Sequence, residues 1–183
     1  TIENIAMQAV IAAEAGADIV APSGMMDGQI AAIRNALDVT GFSHIPVMAY
    51  AAKFASVFYG PFRDAAGCSL GANPNVPANR KTYQLDPANA RQAIRDALMD
   101  EQEGADILMV KPGMPYLDIL STLRQKTELP LAVYQISGEY AMIRLAAEAG
   151  ALDYESAMME SLMCFKRAGA DMILTYSACD VAK

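Results

Sequence analysis

A short phrase occurs three times in this chain and marks the same kind of boundary each time. The three copies are Gly16-Ala17-Asp18, Gly104-Ala105-Asp106 and Gly169-Ala170-Asp171. A stretch with helical spacing precedes each copy, and a short apolar run follows it. Glycine tolerates the left-handed backbone that ends a helix, and a continuous apolar run suits a strand buried on both faces. The phrase therefore predicts a repeated unit of helix, Gly-Ala-Asp turn and strand.

Residues 45–52 and 131–136 fit the same period and bring the predicted strands to five. Apolar residues at helical spacing separate these strands, and a first helix is predicted over residues 2–15. Strands that alternate with helices indicate a parallel sheet, either doubly wound or closed into a (β/α)8 barrel. The glycines after the strands match neither GxGxxG nor a P-loop, so a nucleotide-binding sheet has little support.

A residue with a polar side chain stands at the end of each predicted strand. In chain order these residues are Ser23, Lys53, Lys111, Ser137 and Tyr176. Polar groups gathered at the C-terminal ends of parallel strands are typical of a barrel active site. We therefore predict an α/β fold of the (β/α)8 TIM-barrel class, in which one domain, residues 1–183, carries roughly the last five β/α units. The three preceding strands would lie outside this chain.

Lys53 and Lys111 each stand in an apolar run that would bury an ammonium group. Burial lowers the pKa of a lysine, by as much as about 3 to 5 units when it is complete, and a second ammonium nearby acts in the same direction. A neutral amine can attack a ketone and form a Schiff base. Either lysine alone could instead reach water at a strand end. Two lysines in similar settings favour the Schiff base.

Glycine, proline and asparagine are concentrated in one long irregular stretch, residues 60–87. A loop of this length in a compact domain is usually a functional lid or disordered. Because the stretch follows the strand of Lys53, we predict an active-site lid. A surface insertion without a role is the alternative for residues 68–78.

Charge and composition exclude several classes of function. A net charge of −7 argues against a nucleic-acid partner or an anionic membrane surface. A single histidine, His44, excludes a histidine-based triad or a multi-histidine metal site within the chain. Cys68, Cys164 and Cys179 lack CxxC spacing and are expected to be reduced thiols.

Without a membrane-length apolar run or a signal peptide, we expect a cytoplasmic protein. Thr1 already lies in a helical pattern, which indicates a piece of a longer protein.

Residues 50–67, YAAKFASVFYGPFRDAAG, resemble the porphobilinogen synthase family, also called the 5-aminolevulinate dehydratase family. Residues 22–28, 109–112 and 134–140 resemble further motifs of that family in the same order. The resemblance covers essentially the whole chain, as the C-terminal part of the family's barrel. It implies the condensation of two 5-aminolevulinate molecules to porphobilinogen with loss of two waters, an early step of tetrapyrrole and heme synthesis. It also implies assembly into a homo-octamer.

The resemblance implies roles for individual residues. Lys111 matches the lysine that forms the imine with the first-bound substrate, and Lys53 matches a second lysine that serves as a base or second imine partner. The matching substrate-binding residues are Arg63, Arg80 and Gln84 for the second carboxylate, Ser137 and Tyr176 for the first, Tyr59, Phe62 and Tyr134 as aromatic walls, and Ser23.

The resemblance implies one metal site outside this chain and one candidate metal ligand within it. The family's active-site metal ligands, for zinc or magnesium, lie N-terminal to this chain. Asp96 aligns with a glutamate that binds an allosteric magnesium ion in some members, although it is one methylene shorter. A lone carboxylate on a helix is otherwise a solvated surface group. Gly24 stands where the family commonly has aspartate beside Ser23.

Two alternatives remain open at this stage. Another Schiff-base barrel, of the class I aldolase type, would need a glycine-containing phosphate site after the last strands, and residues 175–179 contain no glycine. A non-catalytic partial barrel with a role in assembly is the second alternative. We expect the complete protein to be active and the 183-residue chain alone to be inactive, because an unpaired strand edge is prone to association.

Overall fold

A computed structural model of the chain describes residues 1–67 and 79–182. The elements are α1 (Ile2–Glu14), α2 (Gln29–Val39), β1 (Met48–Lys53), α3 (Gly60–Ala65), α4 (Ala90–Gln102), β2 (Ile107–Lys111), α5 (Leu117–Arg124), β3 (Leu131–Tyr134), α6 (Ser137–Glu148), α7 (Tyr154–Ala168), β4 (Met172–Leu174) and α8 (Ala178–Val181). Within these residues every helix is too short or too polar to span a bilayer.

The four strands form one sheet in the order β1-β2-β3-β4, and every neighbouring pair is parallel. A doubly wound sheet reverses its strand order at a switch point, whereas a barrel adds each strand beside the one before it. The sequential order is therefore that of an arc of a (β/α)8 barrel, and the predicted fold class is confirmed.

The first of the five predicted strands is reduced to a single bridge. Val20 pairs with Val47 as an isolated parallel bridge, and its carbonyl accepts the N–H of Met48 at 2.9 Å. Pro22 follows two residues later, and a proline has no N–H to donate to a ladder. The described residues thus contain four strands, and this bridge stands in place of the fifth.

The sheet has two apolar faces. The outer face packs against the helices in the main core, which includes Val110, Leu131 and Val133 from the strands and Ile33, Leu37, Leu120 and Phe165 from the helices. Alternate residues form a second, smaller cluster on the inner face, namely Met48, Ile107, Met109 and Ala132, with Tyr50, Tyr134, Met172 and Leu174 partly buried beside them. The strands are buried on both faces, as expected for parallel strands of a barrel.

The aspartates of the last two copies of the repeated phrase join neighbouring strands at their N-terminal ends. Asp106 accepts the backbone N–H of Val47 at 2.8 Å, and Asp171 accepts that of Leu131 at the same distance. An arginine from the helix before the neighbouring strand pairs with each carboxylate, Arg34 of α2 at 3.7 Å and Arg124 of α5 at 3.1 Å. The repeat is therefore an inter-strand clamp as well as a helix end.

The glycines of the last two copies are required by the same clamp. Gly104 and Gly169 have φ values of 100° and 110°, in the predicted left-handed region. A β-carbon on Gly169 would also lie 2.7 Å from Cγ of Arg124. The arginine stem packs directly over the glycine, so a larger residue would displace it.

The stretch predicted to be irregular, residues 60–87, is helical at its start. Helix α3 covers Gly60–Ala65, and Pro61 lies in its first turn, where a missing N–H leaves no helical bond unmade. Residues 68–78, with Cys68 and the middle of the predicted lid, lie outside the described residues. The chain then returns to the sheet, where Leu85 pairs with Phe54 beside the end of β1. Cys164 and Cys179 are free thiols, as expected.

Candidate active site

A cavity of about 240 Å³ lies at the C-terminal ends of the strands. Its lining consists of Ser23, Lys53, Tyr59, Phe62, Arg63, Arg80, Gln84, Lys111, Tyr134, Ile136, Ser137 and Tyr176. Eleven of these twelve residues are the catalytic and substrate-binding residues predicted from the sequence, and Ile136 is the addition. The fold thus brings together residues that are up to 153 positions apart, from Ser23 to Tyr176 (176 − 23).

Lys53 and Lys111 are direct partners in the register between β1 and β2. Strict alternation along β1 would turn Lys53 outward with Ala49 and Ala51, which belong to the outer core. Ala49 pairs with Leu108 and Ala52 with Val110, so three steps of β1 match two steps of β2. This extra residue reverses the side-chain phase and directs Lys53 to the same face as Lys111.

Burial lowers the pKa of both lysines from an ordinary value of 10.5 to about 8. The charge of Arg80 adds to the effect at Lys53, and the charge of Lys53 adds to it at Lys111. Both causes disfavour the ammonium form. A substantial fraction of each amine is therefore neutral, and nucleophilic, slightly above neutral pH.

The two amines differ in their contacts. Nζ of Lys53 donates to the backbone carbonyl of Ser23 at 2.6 Å. Nζ of Lys111 lies over the Tyr134 ring, 4.0 Å from its centroid, with the rings of Tyr50 and Tyr59 at 5.1 and 5.6 Å. Among the described residues, Lys111 has no hydrogen-bond acceptor for its amine, so Lys111 is the less constrained of the two.

Tyr50 was not predicted as a site residue, although it contacts both amines. Its ring centroid lies 5.3 Å from Nζ of Lys53 and 5.1 Å from Nζ of Lys111. It lies in the motif at residues 50–67 and on the inner face of the sheet. Its place in that motif, three positions before Lys53, was the available sequence signal.

Two arginines add to the positive charge of the cavity, and its lining contains unpaired polar atoms. Arg63 lies on α3, and Arg80 and Gln84 lie just after the undescribed residues. The hydroxyl of Tyr59, Nε of Arg63 and Oε1 of Gln84 are buried and have no hydrogen-bond partner in the described part of the chain. Buried polar groups are nearly always paired, so these three atoms indicate a polar ligand. With two lysines, two arginines and no carboxylate in the described lining, the cavity suits an anion.

Ser137 joins the first turn of α6 to the segment before the undescribed residues. Its Oγ accepts the N–H of Phe62 at 3.1 Å and donates to the Phe58 carbonyl at 3.4 Å. Gly138 lies so close that an added β-carbon would be 2.4 Å from the Phe58 carbonyl oxygen. The start of α3 is therefore seated on the N-terminus of α6.

A buried polar network supports the segment of Tyr176 and was not predicted. The hydroxyl of Thr175 donates to Oε1 of Gln135 at 2.6 Å, and Nε2 of Gln135 donates to Ser161 at 2.9 Å. Gln135 is fully buried. Tyr176 itself is half exposed and lies near Tyr134, with ring centroids 6.5 Å apart. A glutamine in an apolar strand was the only sequence signal for this network.

Asp96 lies apart from the cavity. It lines a separate, small pocket with Asp27, Asp100 and Glu103, and Arg95 pairs with it at 3.2 Å. Burial, reinforced by the three neighbouring carboxylates, raises the pKa of Asp100 to about 7. Across residues 1–67 and 79–182, no three acidic, histidine or cysteine side chains are close enough together to hold a metal ion.

The fold and the cavity define the class of protein. The chain forms part of an α/β barrel that has two lysines of lowered pKa at adjacent strand ends. The chain belongs to the delta-aminolevulinic acid dehydratase family, because the model of that family matches residues 1–183. This family is metal-dependent.

Individual relatives agree with this assignment. The chain is 57% identical over 183 residues to delta-aminolevulinic acid dehydratase of Escherichia coli (strain K12), covering all of this chain and 55% of the relative. It is 56% identical over 186 residues to the chloroplastic enzyme of Chlamydomonas reinhardtii, of which it covers 48%. The crystal structure of the Toxoplasma gondii ME49 enzyme, in complex with its reaction product porphobilinogen, superposes with a TM-score of 0.93 at 48% identity, over all of this chain and 51% of that one. The chain spans about half the length of the relatives it matches.

Proposed function

We propose that the complete protein carrying this chain is a porphobilinogen synthase, a hydro-lyase of tetrapyrrole and heme synthesis. It would condense two molecules of 5-aminolevulinate to porphobilinogen and release two waters. The observation that carries the proposal is the register pairing of Lys53 and Lys111, both with a pKa near 8, in a cationic cavity. Two neighbouring amines suit two ketone substrates, and the arginines suit their carboxylates. Membership of the family supports the same reaction.

Lys111 is the proposed imine-forming residue. Its neutral amine attacks the ketone of the first substrate, and loss of one water converts the carbinolamine to the imine. The freedom of Nζ from hydrogen bonds in the described chain supports this choice over Lys53. An imine withdraws electrons from the adjacent carbons and eases the proton loss that precedes carbon–carbon bond formation. Lys53, held by Ser23, would serve as the base or as a second imine partner.

The two substrate carboxylates are assigned to two different sets of lining residues. We assign Arg63, Arg80 and Gln84 to the second substrate, because a guanidinium offers two parallel donors to a carboxylate. The unpaired Nε of Arg63 supports this assignment. Ser137 and Tyr176 are assigned to the first substrate. Tyr59, Phe62 and Tyr134 would line the reacting carbons and exclude water, beside Ser23.

Residues 60–87 are proposed to be the lid over this cavity. Two observations support the proposal: Arg63 near its start and Arg80 near its end both line the cavity, and Leu85 donates its N–H to the Lys53 carbonyl at 3.0 Å. The lid would thus carry the carboxylate-binding arginines, so that closure and binding of the second substrate are one event.

Borohydride trapping on the complete protein tests the reaction. We expect incubation with 5-aminolevulinate and borohydride to leave a reduced adduct on Lys111, located by peptide mass spectrometry. The adduct should disappear in Lys111→Ala and persist in the control Lys126→Ala, which removes an exposed lysine. If a folded protein gave no adduct on either lysine, a non-catalytic partial barrel would replace the proposal. An adduct formed only with a ketose phosphate would favour the aldolase alternative.

The metal proposals concern two positions. We propose that a zinc or magnesium ion at the active site is held by residues outside this chain, because the described cavity lining offers no cysteine, histidine or carboxylate. A magnesium ion at Asp96 would be held largely by water, since no complete ligand set surrounds that residue in the described chain. Titration of Asp96→Ala with magnesium should then lose any activation that the parent protein shows.

Location and assembly are proposed for the complete protein. We infer a cytoplasmic homo-octamer without nucleic-acid or membrane partners, on the resemblance and the net charge of −7. The relatives include chloroplastic enzymes as well as a bacterial one, so fractionation of the source cells is the test of location. Sedimentation of the complete protein is the test of assembly.

A further inference from the structure

Glu139 is a fully buried carboxylate that the proposed function does not use. It lies in the first turn of α6, two residues after Ser137. Its Oε2 accepts the backbone N–H of Gly113 at 3.1 Å and that of Ile136 at 2.8 Å, and its Oε1 accepts that of Met114. In the described residues no arginine, lysine or histidine pairs with it.

The three donors come from two separate segments of the site. Gly113 and Met114 follow Lys111 by two and three positions at the end of β2. Ile136 directly precedes Ser137 at the start of α6. One carboxylate therefore bridges the segment of the proposed imine-forming lysine and the segment of the proposed carboxylate-binding serine.

A helix cap alone does not account for a carboxylate in this position. Asp153 caps α7 by accepting the Ser156 N–H at 2.9 Å, and it does so at the surface. Burial raises the pKa of Glu139 even though its three backbone donors act in the opposite direction. An unpaired buried carboxylate is unfavourable, which points to a requirement that a surface cap would not meet.

The turn after Lys111 is also held from its other side. A β-carbon on Gly113 would lie 2.6 Å from Cε1 of Phe165 and 3.2 Å from Cγ2 of Val133. Glu139 and Phe165 thus hold the turn from two sides. Loss of Glu139 would remove the hydrogen bonds to the turn and leave only the apolar contact with Phe165.

We propose that Glu139 is a positioning residue, which holds the Lys111 and Ser137 segments at the separation that one substrate molecule spans. The proposal rests on the proposed function, because it takes Lys111 as the imine-forming amine. Glu139 acts through Lys111 and contacts no substrate. Its loss would allow the turn to relax and Lys111 to become more hydrated.

The test compares Glu139→Gln with Asp153→Ala in the complete protein. Glutamine keeps the shape but replaces one accepting oxygen with a donor, so at least one of the three backbone hydrogen bonds is lost. Asp153→Ala removes the N-cap hydrogen bond of α7, a helix whose residues do not line the cavity. Competitive acetylation with acetic anhydride from pH 6 to 10, read by peptide mass spectrometry, reports the pKa of Lys111 without any substrate. Borohydride trapping with 5-aminolevulinate reports the rate of imine formation.

We expect Glu139→Gln to raise the pKa of Lys111 from about 8 and to slow trapping at Lys111 on the order of tenfold or more. Asp153→Ala should change neither. Removal of a negative charge alone would lower that pKa, so a rise identifies displacement. An unchanged or lowered pKa with a normal trapping rate would overturn the proposal and leave a simple cap. If Glu139→Gln does not fold, Glu139→Asp, which is one methylene too short to bridge both segments, takes its place. Absence of trapping in the parent protein would refute the proposed function, while the acetylation comparison would still decide the role of Glu139.

Discussion

Lys53 and Lys111 stand opposite each other at the ends of β1 and β2, as direct partners in the strand register. Neighbouring strands lie about 4.8 Å apart, so the two side chains leave the sheet side by side. Lys53 is buried and Lys111 is half-buried, and the charge of Lys53 further lowers the pKa of Lys111. The sheet register therefore makes the two amines a coupled pair, in which a change at one lysine alters the other.

The rate of the proposed reaction should rise with pH through about 8, because the neutral amine is the nucleophile and both lysines have a pKa near that value. The measurement is kcat/KM for 5-aminolevulinate between pH 6 and 10.

Lys53→Met should raise the pKa of Lys111, read by competitive acetylation, because it removes a neighbouring positive charge. A pKa of Lys111 that stays unchanged in this variant would contradict the coupling.

Lys53→Met should also stabilise the folded protein at pH 7 by about 1 to 3 kcal/mol while abolishing activity. The pKa of Lys53 is about 8 in the fold and 10.5 as its ordinary value, so the folded state disfavours the charged form. The loss of folding free energy that the charge of Lys53 causes is fully present below pH 8 and vanishes as pH rises through 10.5. Urea unfolding at pH 7 and pH 10 measures the difference, with Lys126→Met as the control. An equal effect at both pH values would exclude this origin.

The strand order and the composition of the cavity were predictable from the sequence. Residues at the C-terminal ends of sequential parallel strands converge in any such barrel, so listing those ends placed Lys53, Lys111, Ser137 and Tyr176 in one site. The family motifs added the residues of α3 and the segment after residue 78. Local patterns were sufficient here because each residue follows a recognisable strand.

Other features depend on contacts that periodicity does not encode. The extra residue in β1 reverses the side-chain phase of Lys53, and alternation counted along the sequence predicts the wrong face. The first predicted strand shortens to a bridge at Val20. Gln135 and Glu139 have partners 25 to 40 positions away, so their roles appear only in three dimensions.

Gly138→Ala should abolish most activity, because its β-carbon would fall 2.4 Å from the Phe58 carbonyl oxygen and 2.7 Å from Phe58 Cα. Both atoms belong to the backbone, so the start of α3 and the start of α6 must move apart. The matched control is Gly60→Ala, where nothing lies within 4 Å of the added carbon. The measurement is kcat together with the circular dichroism spectrum. Normal activity in Gly138→Ala would show that the contact between Ser137 and the proposed lid is dispensable.

Asp171→Ala should destabilise the protein by about 1 to 3 kcal/mol, because it leaves the Leu131 N–H without its acceptor and Arg124 without its partner. The site lies at the N-terminal end of the strands, away from the cavity, so KM should not change. Glu148→Ala removes an exposed ion pair with Arg144 and should change stability by less than about 0.5 kcal/mol. Urea unfolding of both variants distinguishes the inter-strand clamp from an ordinary surface pair, and equal losses would refute the clamp.

Arg80→Lys should raise KM for 5-aminolevulinate roughly 10- to 100-fold, because a lysine cannot offer the parallel donors of a guanidinium and a charge-assisted hydrogen bond contributes about 1.5 to 3 kcal/mol. The positive charge is kept, so the pKa of Lys53, which Arg80 helps to lower, should stay near 8. Substrate binding and amine activation are thereby separated in one variant. Lys81→Ala removes the neighbouring exposed cation, which does not line the cavity, and should leave KM unchanged. If both variants raised KM equally, Arg80 would be contributing only to the general positive field of the segment, and the assignment of a specific carboxylate contact would be wrong.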